Sequence, residues 1–155
     1  MKDSLGIIGY ILLIIGAVFI DTPIIALLAI PVFITGMILL IIFYNNLLNK
    51  FYKLTLSGIL LVCGTLGYTA IEYNQYLVLL SRNEVNGFFT YWSIKILIIT
   101  AINLIASYLV YLGFKKSKKY SNSKLLSLWL PTLILIPLTI FIIQIMYWND
   151  YWLGG

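Results

Sequence analysis

The sequence predicts an all-α fold: a single polytopic bundle of about five transmembrane helices, with the N-terminus in the cytoplasm and the C-terminus outside. Three observations predict it. Hydrophobic residues make up 62% of the 155 and charged residues only 10%, with a mean hydropathy of +1.03. A soluble domain carries about a quarter charged residues and roughly half apolar ones, because its surface must be covered with polar groups. The apolar residues are gathered into long runs with short polar joints, and the lysines fall in alternate joints. Such a chain belongs in lipid, where apolar surface needs no covering and helices satisfy their own backbone groups.

The first run, residues 5–20, spans roughly 24 Å at 1.5 Å per residue, short against a ~30 Å hydrocarbon core. Local thinning of the bilayer accommodates such a mismatch. With Lys2 ahead of it the run imitates a signal peptide, but Val18, Phe19 and Ile20 supply no small-residue cleavage site, so it reads as a retained span. Asp21, Thr22 and Pro23 then break the helix, and either polar residue can cap the next, with Pro23 in its first turn. The second run, 24–44, spans roughly 31 Å and completes a close antiparallel hairpin. Residues 45–53 form a basic connection. The third run covers 54–71, with a possible helical extension towards residue 80. A mixed outer segment, 72–92, holds Glu72, Arg82 and Glu84 among many aromatics. The fourth span covers 93–114, a basic loop 115–124, and the fifth span 125–148.

Charge placement tests this partition separately from hydropathy. With the N-terminus inside, Lys2, Lys50, Lys53, Lys115, Lys116, Lys118, Lys119 and Lys124 all fall on the cytoplasmic side. Asp21, Glu72, Glu84 and Asp150 fall outside, with Arg82 as the one loop cation there. This is the positive-inside asymmetry expected of a plasma-membrane protein, and it accounts for the net charge of +5 without a nucleic-acid partner. Lys115, Lys116, Lys118, Lys119 and Lys124 are also candidates for anionic lipid, each worth about 1 kcal/mol near the surface.

Small residues mark the faces expected to pack. Gly6, Gly9 and Gly16 share one face of the first helix, Ala26, Ala29 and Gly36 form a seam on the second, and Gly64, Gly67 and Ala70 one on the third. Such seams let transmembrane backbones approach closely, within the chain or against a partner. The fourth helix carries Ser93, Thr100, Asn103, Ser107 and Tyr111 near one line, and Asn103 and Ser107 are its deepest packing candidates. Pro131 and Pro137 each remove an amide hydrogen from the fifth helix, exposing the carbonyls of Ser127 and Leu133. Broken helices of that type line substrate sites in some transporters and are purely structural in others.

The chemistry-bearing residues are few. Histidine is absent, which removes bis-histidine haem, histidine-ligated copper or zinc, and an imidazole base. A single cysteine, Cys63, excludes an intrachain disulfide. The sequence has no glycine-rich phosphate loop and no serine nucleophile elbow, so it predicts neither a catalytic residue nor a metal or intrinsic cofactor site. Lys95, just inside the outer end of the fourth helix, either snorkels, pairs with Glu72 or Glu84, or serves a function. Phe88, Phe89, Tyr91 and Trp92, with Tyr147, Trp148, Tyr151 and Trp152, match an interfacial aromatic belt and also suit a lipid or quinone groove. Glu72, Glu84, Phe88, Trp92, Lys95, Trp148 and Trp152 are therefore the candidates for contact with a partner, lipid or quinone.

The expected role is a non-catalytic accessory subunit of a larger membrane complex, with a respiratory or other energy-transducing assembly as the leading example. Other integral membrane subunits and membrane lipids are the expected partners. Two other classes fit the same residues: an immunity protein against a membrane-active peptide or toxin, and a small transporter or channel component.

Overall fold

The structure, a computed structural model, describes residues 2–22, 24–48, 52–85, 87–117 and 121–153. Pro23, Lys50, Lys118 and Lys119 lie outside the described residues. For Lys2, Lys124, Trp148, Asp150, Tyr151 and Trp152 only the helix is described, and their side chains lie outside the description. The chain is all-helical, in the order α1 (Lys2–Phe19), α2 (Ala26–Leu48), α3 (Tyr52–Ser81), α4 (Phe88–Ser117) and α5 (Asn122–Leu153). Four of these are long and apolar enough to cross a membrane, and α1 contributes a shorter apolar helix, Ser4–Phe19. The outward surface of every helix is studded with exposed aliphatic side chains, among them Ile7, Leu28, Leu60, Leu97 and Leu138. A surface of that kind is stable only against lipid chains.

The first hairpin is set by glycine. A Cβ on Gly36 would lie 2.7 Å from the Leu13 amide nitrogen and 2.8 Å from the Gly9 carbonyl oxygen. One on Gly16 would strike the Phe33 backbone, and one on Gly6 the Phe43 ring. The pairs 6 with 43, 9 with 36 and 40, and 16 with 33 define an antiparallel register in which α1 lies alongside residues 33–43 of α2. Helices this close gain dispersion contacts that bulkier residues would block. Between them, the Thr22 carbonyl accepts the Ala26 amide at 2.6 Å, so α2 begins at Ala26, two residues later than the apolar run suggests.

At the far end α3 runs to Ser81 and is closed by a two-bond cap. The Asn83 amide donates to the Leu80 carbonyl at 3.1 Å and the Glu84 amide to the Leu79 carbonyl at 3.0 Å. Asn83 takes the left-handed conformation this cap requires, at φ 56°. The outer segment predicted over 72–92 is accordingly mostly helix, and α4 starts at Phe88, five residues earlier than its apolar run. The glycine-poor joint is short because both helices continue past their hydrophobic cores.

α3 is the central helix: 56% of its spanning stretch is buried, against 22–28% in α2, α4 and α5. Its buried residues Ile59, Val62, Cys63, Leu66, Ala70 and Tyr73 meet Leu13 and Ala17 of α1, Leu40 and Tyr44 of α2, Ala106 and Val110 of α4, and Ile136 and Ile143 of α5. The α3–α4 approach is as tight as the first hairpin, because a Cβ on Gly58 would lie 2.6 Å from the Ala106 carbonyl oxygen and one on Gly113 would collide with Thr55. α5 runs unbroken through Pro131 and Pro137. It is held by the Trp129 indole N–H, which donates to the Ser107 carbonyl of α4 at 2.9 Å, and by Tyr73, whose hydroxyl donates to the Gln144 side-chain oxygen. α2 likewise tolerates Pro31, where the Thr35 hydroxyl donates to the Pro31 carbonyl at 2.8 Å.

Candidate functional site on the α3–α4 face

The described charges separate to the two ends of the bundle. Lys53, Lys115 and Lys116 lie at the end where α2 passes to α3 and α4 to α5, whereas Asp21, Arg82 and Glu84 lie at the end with the α1–α2 and α3–α4 turns. The latter is called the turn end below.

One polar cluster stands between that end and the membrane interior. Glu72 lies on α3 and Lys95 on α4, and the short turn brings them to one level. The Lys95 ammonium donates to Glu72 Oε2 at 2.5 Å, and the Tyr91 hydroxyl donates to the same oxygen at 2.9 Å. Lys95 Nζ also lies 3.9 Å from the centre of the Tyr91 ring, a cation–π arrangement. Tyr68, one turn along α3, is half-exposed. This is the sole ion pair among the described residues, and it faces outward, with 32% of the lysine and 18% of the glutamate side chain exposed. Charges near hydrocarbon are costly unless paired. Here one carboxylate is supported by an ammonium and a phenol, while Lys95 keeps donors for an acceptor beyond the chain.

Beneath the cluster runs an apolar groove of about 290 Å³ between α3 and α4, lined by residues that include Leu61, Gly64, Tyr68, Ile98 and Ile102. Gly64 sits in it as an open notch, since a Cβ there would meet nothing within 4 Å. Gly64, expected to pack within the chain or against a partner, is exposed and meets no neighbouring helix within the chain. Gly67 is buried, but its nearest neighbour is the Phe33 ring at 3.7 Å, an ordinary contact. Gly6, Gly9, Gly16 and Gly36 lie in the α1–α2 interface, and Ala29 is buried on α2.

The aromatic residues divide. Phe89 is 81% exposed, as an interfacial ring would be, whereas Trp92 is only 3% exposed. Trp92 is corrected from a surface contact to a core residue, packed among Tyr73, Tyr76, Phe88 and Tyr91 with ring centroids 5.6–6.2 Å away. Phe88 bridges the two settings, half-exposed and in contact with Tyr76. Glu84 takes no part in the cluster; its backbone closes the α3 cap and its side chain is exposed. Lys115 and Lys116 are exposed in the last turn of α4, where cations complement the helix carbonyls.

The polar line predicted on α4 is not one seam. Ser93 and Thr100 are exposed, Asn103 is half-buried and Ser107 is fully buried. Asn103 Oδ1, Ser107 Oγ, Thr55 Oγ1 and the Trp92 indole nitrogen are buried without a hydrogen-bond partner. Thr55 and Ser107 owe this to the closeness of α3 and α4, where Gly58 and Gly113 admit backbone against backbone. Neither glycine stands out in the sequence, because no small-residue repeat surrounds them. A second cavity, of about 440 Å³, lies between α3, α4 and α5, with Tyr73, Trp92, Ile99, Thr100 and Pro137 in its wall.

No family model, curated protein or solved structure matches the chain. The reading of this site therefore rests on its own chemistry. Among the described residues no three His, Cys, Asp or Glu side chains come together as a metal cage would require.

Proposed function

We propose that this chain is a non-catalytic accessory subunit of a plasma-membrane complex, and that its α3–α4 face receives another integral membrane subunit. The observation that carries the reading is the Glu72–Lys95 pair, partly exposed on an otherwise aliphatic face beside the open Gly64 notch. In lipid the exposed part of this pair lacks acceptors and the notch lacks contacts; a partner helix supplies both. The Lys95 ammonium and the Tyr91 hydroxyl already hold one carboxylate oxygen, an arrangement suited to recognition and poorly suited to proton abstraction. An energy-transducing assembly is the first candidate complex.

The proposal includes five crossings with the N-terminus in the cytoplasm. Its support is the glycine register, which puts α1 at the same depth as residues 33–43 of α2, together with the lysines at one end of the bundle. A photoreactive residue at Ile98 or Gly64, activated in native membranes, should give a discrete adduct with one integral membrane protein. The same residue at Ile7 on α1 should give none, and Lys95→Met should weaken the adduct from Ile98. Diffuse labelling from all three positions, with a chain that purifies alone, would reject the reading.

A second reading, a small transporter component with a bound lipid or quinone, draws on the cavity beside Pro137 and Trp92. Its apolar wall suits an acyl or isoprenoid chain. Loss of solute flux in Asn103→Leu with assembly unchanged would favour it.

A further inference from the structure

A separate cavity opens at the turn end, on the opposite side of α3 from its contact with α4. It has a volume of about 560 Å³ and lies between the α1–α2 turn, the last turns of α3 and the end of α5. Its wall is divided by chemistry. Asp21, Thr22, Asn74, Ser81 and the Tyr147 hydroxyl provide the polar part, and residues such as Leu77, Ile143 and Met146 the apolar part. A smaller recess of about 280 Å³ beside it shares Asp21 and Val78 and adds Gln75. Asp21 thus stands on the rim between two hollows.

The charge at this rim is uncompensated. Among the described residues no cation lies within ion-pair distance of Asp21, because Lys95 is committed to Glu72 and Arg82 forms no such pair. Asp21 is exposed at the rim, and the part of it that is covered works against the bare carboxylate. Ser81 is already occupied, its hydroxyl donating to the Val78 carbonyl at 2.7 Å. What remains is one carboxylate in a wall that also carries the Asn74 amide and the Thr22 and Tyr147 hydroxyls, above an apolar bed containing a deformable methionine. The volume is in the range of sites for small organic ligands, which combine an apolar lining with a few placed polar groups.

We propose that this cavity binds a cationic amphiphile: a small aliphatic molecule with an ammonium head, its charge at Asp21 and its chain against Leu77, Ile143 and Met146. The inference goes beyond the docking function and uses none of the α3–α4 face. An ammonium supplies the missing counter-charge through a charge-assisted hydrogen bond, and the chain removes apolar wall from water at the membrane edge. An anionic or neutral head leaves Asp21 as it was, so selectivity resides in that one residue.

The test uses the full chain in nanodiscs of zwitterionic phospholipid at neutral pH. An octylamine carrying a diazirine serves as the probe, and the matching diazirine octanol as the neutral control. On illumination the amine should label residues 77–81 and 143–147, and octylammonium should displace it. Asp21→Asn should lower that labelling about tenfold and Asp21→Glu should largely retain it. Val78→Trp, placed at the exposed rim, should fill the space and abolish labelling in a protein that remains folded. Equal labelling of wild type and Asp21→Asn, octanol labelling as strong as amine labelling, or labelling that survives Val78→Trp would each overturn the proposal. None of these results depends on whether a partner docks at Gly64 and Ile98.

Discussion

Gly36→Ala and Gly64→Ala are the same chemical change in two transmembrane helices, and the structure assigns them opposite outcomes. At Gly36 the added methyl would meet the Leu13 nitrogen at 2.7 Å, the Gly9 oxygen at 2.8 Å and the Leu12 carbonyl carbon at 3.1 Å. All three are backbone atoms, so no side-chain rotation relieves the clash. Restoring ordinary contact at 3.4 Å requires α1 and α2 to separate by roughly 0.7 Å near that point. A gap of about 0.5–1 Å forfeits a quarter to a half of each dispersion contact across an interface. The neighbouring contacts of Gly6 with Phe43 and Gly16 with Phe33 loosen with it. Overpacking of this type costs about 1–3 kcal/mol, against a helix-propensity gain for alanine of up to ~1 kcal/mol. At Gly64 nothing is struck, and only the propensity gain remains. The two variants should therefore differ by about 2 kcal/mol, with Gly36→Ala the less stable. Unfolding in mixed micelles against the mole fraction of dodecyl sulfate, followed by tryptophan fluorescence, measures the difference. If Gly36→Ala is as stable as Gly64→Ala, the backbone contact between α1 and α2 is not as described.

Three further outcomes follow from the same coordinates. Thr55→Val, which replaces a fully buried hydroxyl without a partner, should stabilise the fold by up to ~1 kcal/mol in the same unfolding assay, since an unsatisfied polar group is removed at nearly constant shape. In a double-mutant cycle, the combined Glu72→Gln and Lys95→Met variant should cost less than the sum of the two single changes, with a coupling of about 1 kcal/mol, because each single change strands a charge beside lipid. Burial raises the Asp21 carboxyl above its ordinary range, so the folded state holds that proton more tightly than the unfolded chain. Stability from this group is then present at acid pH and is lost as pH rises through the carboxylate range. Asp21→Asn should flatten that part of a pH–stability profile, and an unchanged profile would contradict the burial.

Much of the architecture is legible in the residues. Hydropathy places every helix, and the glycines of α1 and Gly36 of α2 can be read as a packing seam because they repeat at helical spacing. Helix ends are less legible. α3 and α4 outrun their apolar stretches because the Asn83 cap and the Phe88–Trp92 aromatics stabilise helix beyond the hydrocarbon, and hydropathy records only the hydrocarbon. Gly58 and Gly113 pack as closely as Gly36, yet isolated glycines carry no periodic signal. Gly64 carries a periodic signal with Gly67, but that spacing does not tell a seam filled within the chain from one left for a partner. The Glu72–Lys95 pairing was one of several possibilities open to Lys95. It requires the α3–α4 turn to be short enough to level the two residues, and a chain that looped through residues 72–92 would not meet that condition. The inward turn of Trp92 is likewise a property of the packed rings and not of its position near a helix end.

The glycine-set contact of α1 with α2 also bears on how the chain enters its membrane. The two helices are adjacent in sequence and joined by a few residues, and their closest backbone approach is to each other along the 33–43 stretch. Contacts of such short sequence separation form early, before distant segments are available. A 16-residue apolar segment such as residues 4–19 is a poor candidate to settle in a bilayer alone. Matched to α2 backbone against backbone, it can be delivered as half of a ready-made pair during synthesis. On this account the first 48 residues form the unit whose pairing comes first, and a fault at Gly9, Gly16 or Gly36 would be felt there, before any contact with α3 is made.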